Sequence, residues 1–314
     1  MQLIRPDTHI DFIGRRKIAM AISGLVLLIS VGLLVTKGLN FVIDFTGGTL
    51  VEVKFTQAPK ISDIRTSLSP AGYEQAIIQE FGSPEEILIR VQNNDGEKSA
   101  AISTAILDTL SKDFGADAVE MRRVEFVGPQ VGDELTRAGI MAVLIAMLAI
   151  LVYVTVRFEL RFALGADAAL VHDVTIVLGL FALGGKEFTL PVVAALLTVI
   201  GYSLNDTIVV FDRIRENLAA NRKKKYPDEE SHVANASINQ TLGRTIMTSL
   251  TTLLVVIALF FLGGEVIHDF AFALIAGIVV GTYSSIFIAS PIMLSLQGKF
   301  KIDEEEAKRL EARP

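Results

Sequence analysis

The stretch from Thr198 to Asn217, TVIGYSLNDTIVVFDRIREN, begins as an apolar run long enough to cross a bilayer and ends in charged residues. Asn205 and Asp206 lie inside the apolar part. A carboxylate in a lipid-spanning helix costs roughly 3 kcal/mol or more, so such a group usually faces the protein interior and marks an ion or proton pathway. The structural alternative is a polar helix–helix contact, or a carboxylate kept neutral by burial. The stretch therefore predicts a membrane helix with a polar centre.

The composition indicates that most of the chain lies in a membrane. Of its 314 residues, 51% are hydrophobic and 20% are charged, and the mean hydropathy is +0.50. Several apolar runs reach the roughly 20 residues that a helix needs to cross the hydrocarbon core. Cysteine is absent, which excludes disulfides, thiol chemistry and cysteine-bound metals. The net charge of −6 has no basic stripe typical of proteins that bind nucleic acid.

The distribution of Lys and Arg predicts the orientation of the spans. These residues crowd the segments before the first span, between the second and third, between the fourth and fifth, and after the sixth. Because Lys/Arg-rich loops stay cytoplasmic, both termini are predicted to be cytoplasmic. The basic cluster at 222–225 has a second interpretation, as a lipid-binding patch. The predicted segments are a cytoplasmic N-terminus at 1–17, spans at 18–36, 135–156, 163–184, 189–211, 244–263 and 270–292, an external domain at 37–132, a cytoplasmic loop at 212–243 and a cytoplasmic tail at 293–314.

The segment 37–132 has mixed charge and short runs of alternating hydrophobicity, unlike the apolar spans. Alternation predicts strands, and spacing of three to four residues predicts helices. Strands are predicted at 49–55, 74–81, 85–91 and 119–126, and helices at 61–68 and 99–114. The order βαββαβ is that of ferredoxin-like domains. The predicted fold is therefore a polytopic α-helical membrane protein, with six transmembrane helices and one small external α+β domain.

Two glycines, Gly47 and Gly48, precede the first strand of this domain and indicate a turn. A phosphate-binding loop is the functional alternative for such a pair. No lysine follows the glycines, and the strand–loop–helix context of a phosphate-binding loop is missing. The turn is the preferred interpretation.

A cation, Arg244, is predicted at nearly the same membrane depth as Asp206. The fifth span reaches the required length only if it extends back through several Thr and Ser residues to about Arg244. Counted from the outer ends, the two residues lie within roughly one helical turn of each other. Two interpretations remain open from spacing alone: Arg244 pairs with Asp206, or it anchors the helix by reaching to the headgroups.

The third span carries His172 and Asp173 near mid-membrane, with Asp167 nearer its edge. A neighbouring His and Asp can relay protons. Adjacent helical residues point about 100° apart, so both are not expected to line one narrow path, and a structural role for one of them is the alternative. A metal site is the weaker interpretation, because no second His or Glu follows at helical spacing. In the sixth span, Gly277 and Gly281 form a small-xxx-small seam for close helix packing.

Five stretches of the sequence together carry a resemblance to a known family. They are IDFTGGT (Ile43–Thr49), VGPQVG (Val127–Gly132), LVHDV (Leu170–Val174), GYSLNDTIVVFDRIREN (Gly201–Asn217) and NQTLGRTIMTSLTTLL (Asn239–Leu254). The chain resembles, over essentially its whole length, the SecF branch of the SecD/SecF family. These are membrane subunits of the bacterial Sec protein-export machinery within the resistance-nodulation-division superfamily.

This resemblance implies a function and a set of site residues. It implies a protein-translocation subunit, not an enzyme, that works with SecD and uses the proton-motive force to promote late steps of export. The family's proton-pathway carboxylate and arginine fall on Asp206 and Arg244, and Asn205, Asp173 and Asp212 are candidate supporting residues. The implied partners are SecD, the SecYEG translocon, the translocating preprotein and membrane lipids. Protons are the coupling ion, no cofactor is expected, and the implied location is the bacterial inner membrane.

Two other functions are compatible with the same pattern of residues. A proton-driven exporter of small molecules or lipids would use the same six-span half, although its external domains are usually much larger. A non-transporting scaffold of the translocon would use Asp206 only for packing. Proton flux with and without the Asp206 charge separates a pump from a scaffold.

Overall fold

A computed structural model describes residues 9–92 and 99–297. Within these ranges six helical segments are long and apolar enough to cross a membrane: α1, α5, α6, α7, α8, and α9 continued through α10. The helices are α1 (Arg16–Thr36), α2 (Ile43–Thr46), α3 (Ile61–Leu68), α4 (Ser99–Phe114), α5 (Pro129–Arg157), α6 (Leu160–Gly184), α7 (Leu190–Arg222), α8 (Glu230–Leu262), α9 (Glu265–Ser284) and α10 (Ser290–Ser295). The strands are β1 (Asn40–Phe41), β2 (Gly48–Phe55), β3 (Ile77–Phe81), β4 (Ser83–Val91), β5 (Val119–Val127) and β6 (Glu187–Phe188).

Two of the long helices extend well beyond the predicted spans. α7 continues to Arg222 and α8 begins at Glu230, so helix occupies most of the predicted loop at 212–243. An apolar run marks where a helix can meet lipid, whereas the helix itself continues through polar residues until a breaker such as Pro227. The span limits within these helices remain predictions. Parts of the two predicted cytoplasmic termini, at 1–8 and 298–314, lie outside the described residues.

The external domain has the predicted ferredoxin-like order. β2, β3, β4 and β5 form one antiparallel sheet, in which the strands lie side by side in the order β3-β4-β2-β5. α3 and α4 begin and end where helical spacing predicts. β3 starts at Ile77, three residues later than predicted, because Tyr73 to Ala76 form a turn closed by backbone hydrogen bonds.

The two helices of this domain cover one face of the sheet. Val51 and Val53 of β2 pack there against Ile64 of α3 and Ile106 and Leu110 of α4, and all five side chains are fully buried. Alternate residues of the same strands point to the opposite face. That face is turned toward the adjacent ends of the long helices, where Leu50 and Leu88 contact Ile43.

The external domain is joined to the helices by short, closely packed connections. The strand β1, just after α1, pairs in parallel with β6 in the turn between α6 and α7. Gly47 has φ +68°, and a Cβ at this position would lie 2.8 Å from Cα of Pro129, the first residue of α5. Backbone therefore fills the space beside the glycine pair, which supports the turn over the phosphate-binding loop.

The helices α6, α7 and α9 form the centre of the bundle, and much of the surface of α1, α5 and α8 is exposed apolar side chain. The Gly277 and Gly281 seam of α9 packs inside the chain, against α7. A Cβ at Gly277 would lie 2.1 Å from Val199, and one at Gly281 would lie 2.9 Å from Ser203. The missing side chains allow α7 and α9 to approach closely.

Candidate functional site

Asp206 lies buried in the middle of α7, with 1% of its surface exposed. Its Oδ2 accepts a hydrogen bond from the Ser249 hydroxyl of α8 at 3.2 Å, and Ser249 shares a second hydrogen bond with Thr282 of α9 at 2.7 Å. The side chains of Asn205 and Thr248 also interact with the carboxylate. The carboxylate is therefore surrounded by protein hydroxyl and amide groups at the junction of three helices.

Arg244 is exposed on α8, five residues before Ser249. Since Ser249 contacts Asp206, Arg244 is offset from the carboxylate by about 7.5 Å along the helix axis. No ion pair joins Arg244 to Asp206 within the described ranges, and the guanidinium lies near enough to attract the carboxylate electrostatically. The separation that residue counting predicts, within roughly one helical turn, stays a prediction.

Asp173 forms a second buried carboxylate site, with 1% of its surface exposed. Its Oδ2 accepts hydrogen bonds from Ser203 of α7 at 2.5 Å and from Ser284 of α9 at 2.7 Å. Its Oδ1 lies 2.9 Å from Nδ1 of His172. Although adjacent helical residues point about 100° apart, the side chains of these two turn toward each other. Asp173 thereby connects α6 to α7 and α9.

The imidazole of His172 is also buried, beside Tyr283. Its Nε2 has no hydrogen-bond partner in the described part of the chain. The same part of the chain contains no cluster of three or more His, Cys, Asp or Glu that could hold a metal ion. The geometry of His172 and Asp173 is that of a hydrogen-bonded pair able to hold a proton.

The two carboxylate sites lie next to each other in the bundle. Ser203 and Asp206 are about one turn apart on α7, and Thr282 and Ser284 are two residues apart on α9. The helix then changes to a π-helical turn at Ser285–Ala289, a feature often found at functional sites. Sequence reasoning missed the four hydroxyl residues Ser203, Ser249, Thr282 and Ser284. No local signal indicates these contacts, because each hydroxyl meets a residue of another helix.

Two other acidic residues singled out from the sequence, Asp212 and Asp167, have different surroundings from Asp206 and Asp173. Asp212 pairs with Arg215 on the surface of α7 at 3.1 Å, with 41% of its side chain exposed. Asp167 of α6 has one buried oxygen without a hydrogen-bond partner in the described residues. The structure therefore brings Asn205 close to Asp206, whereas Asp212 belongs to a separate surface ion pair.

A polar face beside Asp206 is open to the outside of the bundle. Gly201 and Asn205 of α7 and Arg244 of α8 are exposed on it. A Cβ added to Gly201 would contact no atom within 4 Å. An exposed guanidinium and amide are costly in contact with lipid, so a polar surface of another protein fits this face better than acyl chains do.

Comparison with protein families identifies the chain. Residues 106–299 match the C-terminal model of the protein export membrane proteins SecD and SecF, and residues 32–59 match the GG motif of SecD and SecF. The chain belongs to the SecD/SecF family. Within it, the chain is a SecF subunit of the Sec translocase, a multi-pass membrane protein of protein export and not an enzyme.

Individual SecF proteins are similar to this chain along nearly their whole length. The SecF subunit of Magnetococcus marinus is 54% identical over 94% of this chain and 94% of its own. The SecF subunit of Vibrio alginolyticus is 50% identical over 94% of this chain and 92% of its own. The chain therefore matches SecF subunits over nearly all of its length.

Two solved structures have the same fold. The crystal structure of SecDF from Thermus thermophilus, described as a translocon-associated membrane protein, covers 94% of this chain at 38% identity and a TM-score of 0.81. SecDF in a super-membrane-facing form covers 100% at 37% identity and a TM-score of 0.68. The present chain spans 40% and 41% of those longer chains. The predicted six-helix fold with one small α+β domain is confirmed.

Proposed function

We propose that this SecF subunit couples the proton-motive force to late steps of protein export, with Asp206 as the group that binds and releases the proton. The observation that carries the proposal is the buried Asp206 carboxylate, held by Ser249 at the junction of three membrane helices. A buried ionisable group at this depth marks a proton path. The hydroxyl partner can donate to the charged carboxylate and can accept a hydrogen bond from its protonated form.

Protonation of Asp206 changes which packing of α7 and α8 is preferred. It removes the negative charge and with it the attraction to Arg244. A proton that moves down 100 mV supplies about 2.3 kcal/mol. That energy shifts a two-state equilibrium by more than about tenfold. Asn205 and Asp173 support the pathway, the first beside Asp206 and the second one turn away through Ser203.

SecD is the proposed partner at the open polar face. This chain matches only two fifths of the SecDF chain, so SecDF contains a further part that this chain lacks. We assign that further part to SecD. Arg244 and Asn205 would then contact a polar surface, and transporters place coupling residues between two such halves. The SecYEG translocon, the translocating preprotein and membrane lipids are further proposed partners.

The proposed location is the bacterial inner membrane, with both termini in the cytoplasm and the α+β domain outside. The positive residues at 213–225 fall at the end of the bundle opposite the α+β domain. That arrangement agrees with the preference of Lys- and Arg-rich loops for the cytoplasm. The external domain is then placed to contact a preprotein on the outer side.

Proton flux and export measured on the same variants test the proposal. Asp206→Asn keeps the size of the side chain but cannot titrate, so we expect a folded protein without proton-dependent export. Asp212→Asn is the matched control, because it makes the same change on the same helix at a surface ion pair. Export at the wild-type rate with Asp206→Asn as sole copy would leave the chain a scaffold and would contradict the proposal.

A further inference from the structure

The turn between α6 and α7 contacts the external domain through one carboxylate. Oε1 of Glu187 accepts hydrogen bonds from the guanidinium of Arg90 on β4 and from the amide of Gln79 on β3. Both donors lie on the sheet face that is turned toward the membrane helices. Glu187 is therefore a point at which two strands of the domain and the helix bundle meet.

The backbone of the same residue is attached to α9. The Glu187 N–H donates to Oδ2 of Asp269 at 2.8 Å, and the ammonium of Lys186 contacts Oδ1 of Asp269 at 2.8 Å. Asp269 lies near the start of α9. The Lys186 ammonium also lies 4.6 Å from the centre of the Phe272 ring. The turn is thus fixed to the outer end of α9 while its carboxylate holds the external domain.

The carboxylates of Glu187 and Asp44 compensate the charge of Arg90, and Glu187 is the one in direct contact with it. Only 5% of the Arg90 side chain is exposed, and its Nε and Nη1 have no hydrogen-bond partner in the described residues. Burial lowers the pKa of Arg90, and the neighbouring Asp44 carboxylate opposes that effect. A protein is strongly destabilised when a buried cation loses its partner. The contact with Glu187 therefore favours the arrangement in which the domain lies against this turn.

The turn is also directly continuous with the helix that carries Asp206. α7 begins at Leu190, three residues after Glu187, and the Leu190 N–H donates to Oδ2 of Asp44 at 2.9 Å. Leu190 and Asp206 are about 24 Å apart along this helix. A helix transmits an axial or tilting movement along its length, so displacement of α7 at Asp206 moves Glu187 as well.

We propose that Glu187 is the positioning residue that transmits movement of α7 to the external domain through its contact with Arg90. The inference rests on the proposed proton-driven function and names the contact that passes the movement of the helices to the α+β domain. Glu187 touches neither the proton nor the preprotein, and it acts through the placement of the α+β domain. Loss of its charge uncouples proton movement from export.

The test uses the full chain with its SecD partner in vesicles and in cells. Glu187→Gln keeps the side-chain size and a hydrogen-bond acceptor, and Arg90→Met removes the guanidinium. We expect proton flux within about twofold of wild type and export reduced roughly fivefold or more in each variant. The double variant should be no worse than the worse single one, because residues that act through one contact are non-additive. Glu187→Asp, which keeps the charge, should recover part of the export.

Placement of the domain is measured independently of proton flux. The chain has no cysteine, so a single pair of labels at Thr104→Cys on the domain and Leu262→Cys at the end of α8 reports their distance. We expect the distance distribution to broaden in Glu187→Gln. Glu86→Gln is the control, since it removes an exposed ion pair with Lys54 from the same sheet. It should leave both the distance and export unchanged.

Several results would overturn the assignment of Glu187. Unchanged export and distance in Glu187→Gln would do so, as would additive effects of Glu187→Gln and Arg90→Met. If proton flux fell together with export in Glu187→Gln, Glu187 would be needed for the stability of the bundle and not for coupling. Wild-type vesicles without proton flux would overturn the proposed function alone, and the distance distribution would then decide whether Glu187 positions the domain.

Discussion

Ser249 of α8 donates a hydrogen bond to Asp206 of α7 at 3.2 Å, and the same hydroxyl lies 2.7 Å from Thr282 of α9. One side chain thus joins a buried carboxylate to two further helices. The charge state of the carboxylate determines whether it only accepts hydrogen bonds or can also donate one. Protonation of Asp206 would therefore change the hydrogen bonding at the junction of three helices.

Ser249→Ala should reduce proton-dependent export about tenfold, because a buried carboxylate that loses a hydrogen bond is left partly unsatisfied. Ser249→Thr keeps the hydroxyl and should retain most of the activity. Thr251→Ala is the matched control on the same helix, since the Thr251 hydroxyl is exposed and bonds only to backbone. Equal export by Ser249→Ala and wild type would exclude this contact from the pathway.

Asp173→Asn should destabilise the bundle by about 1–3 kcal/mol, because a neutral amide oxygen accepts hydrogen bonds from two serines less strongly than a carboxylate oxygen does. The Asp173 carboxylate accepts from both Ser203 and Ser284. The thermal midpoint of the purified protein measures the effect. Asp108→Asn, at an exposed position of α4, is the control and should leave the midpoint unchanged. An unchanged thermal midpoint in Asp173→Asn would show that Asp173 does not stabilise the bundle.

Gly277→Ala should destabilise the packing of α7 on α9 by about 1–3 kcal/mol, because the added methyl group would lie 2.1 Å from Val199. Adding Val199→Ala makes room for that methyl group and should recover much of the loss. Gly24→Ala is the control, because a Cβ there meets no atom within 4 Å. Thermal unfolding in detergent measures all four proteins. A double variant no more stable than Gly277→Ala alone would contradict the steric explanation.

Arg244→Lys should retain partial export and Arg244→Met should retain none, because the residue acts on Asp206 through charge and no ion pair joins the two in the part of the chain that the structure describes. Arg213→Met is the control, since Arg213 forms an exposed pair with Glu216 on α7. Export at increasing proton-motive force is the measurement. Full activity of Arg244→Met would make Arg244 a membrane anchor only.

Local sequence patterns determined the elements of this fold. Hydrophobic length predicted six spans, because a helix that crosses a bilayer must satisfy its own backbone and present about 20 apolar residues. Alternation and helical spacing predicted the βαββαβ order, and α3 and α4 have the predicted bounds because both helices carry their apolar stripe within their own sequence. The position of Asp206 in an apolar run was likewise visible without any structure.

The tertiary structure alone decided which side chains meet. Counting residues placed Arg244 within roughly one turn of the depth of Asp206, and only the packing of α7 on α8 shows that Ser249 meets the carboxylate and that Arg244 is exposed. Helical spacing separates His172 from Asp173, yet their side-chain rotamers bring them to 2.9 Å. Glu187 and Arg90 are 97 residues apart in the chain and have no local signal. Such contacts depend on the rotation and offset of packed elements, which a one-dimensional pattern of hydrophobicity does not contain.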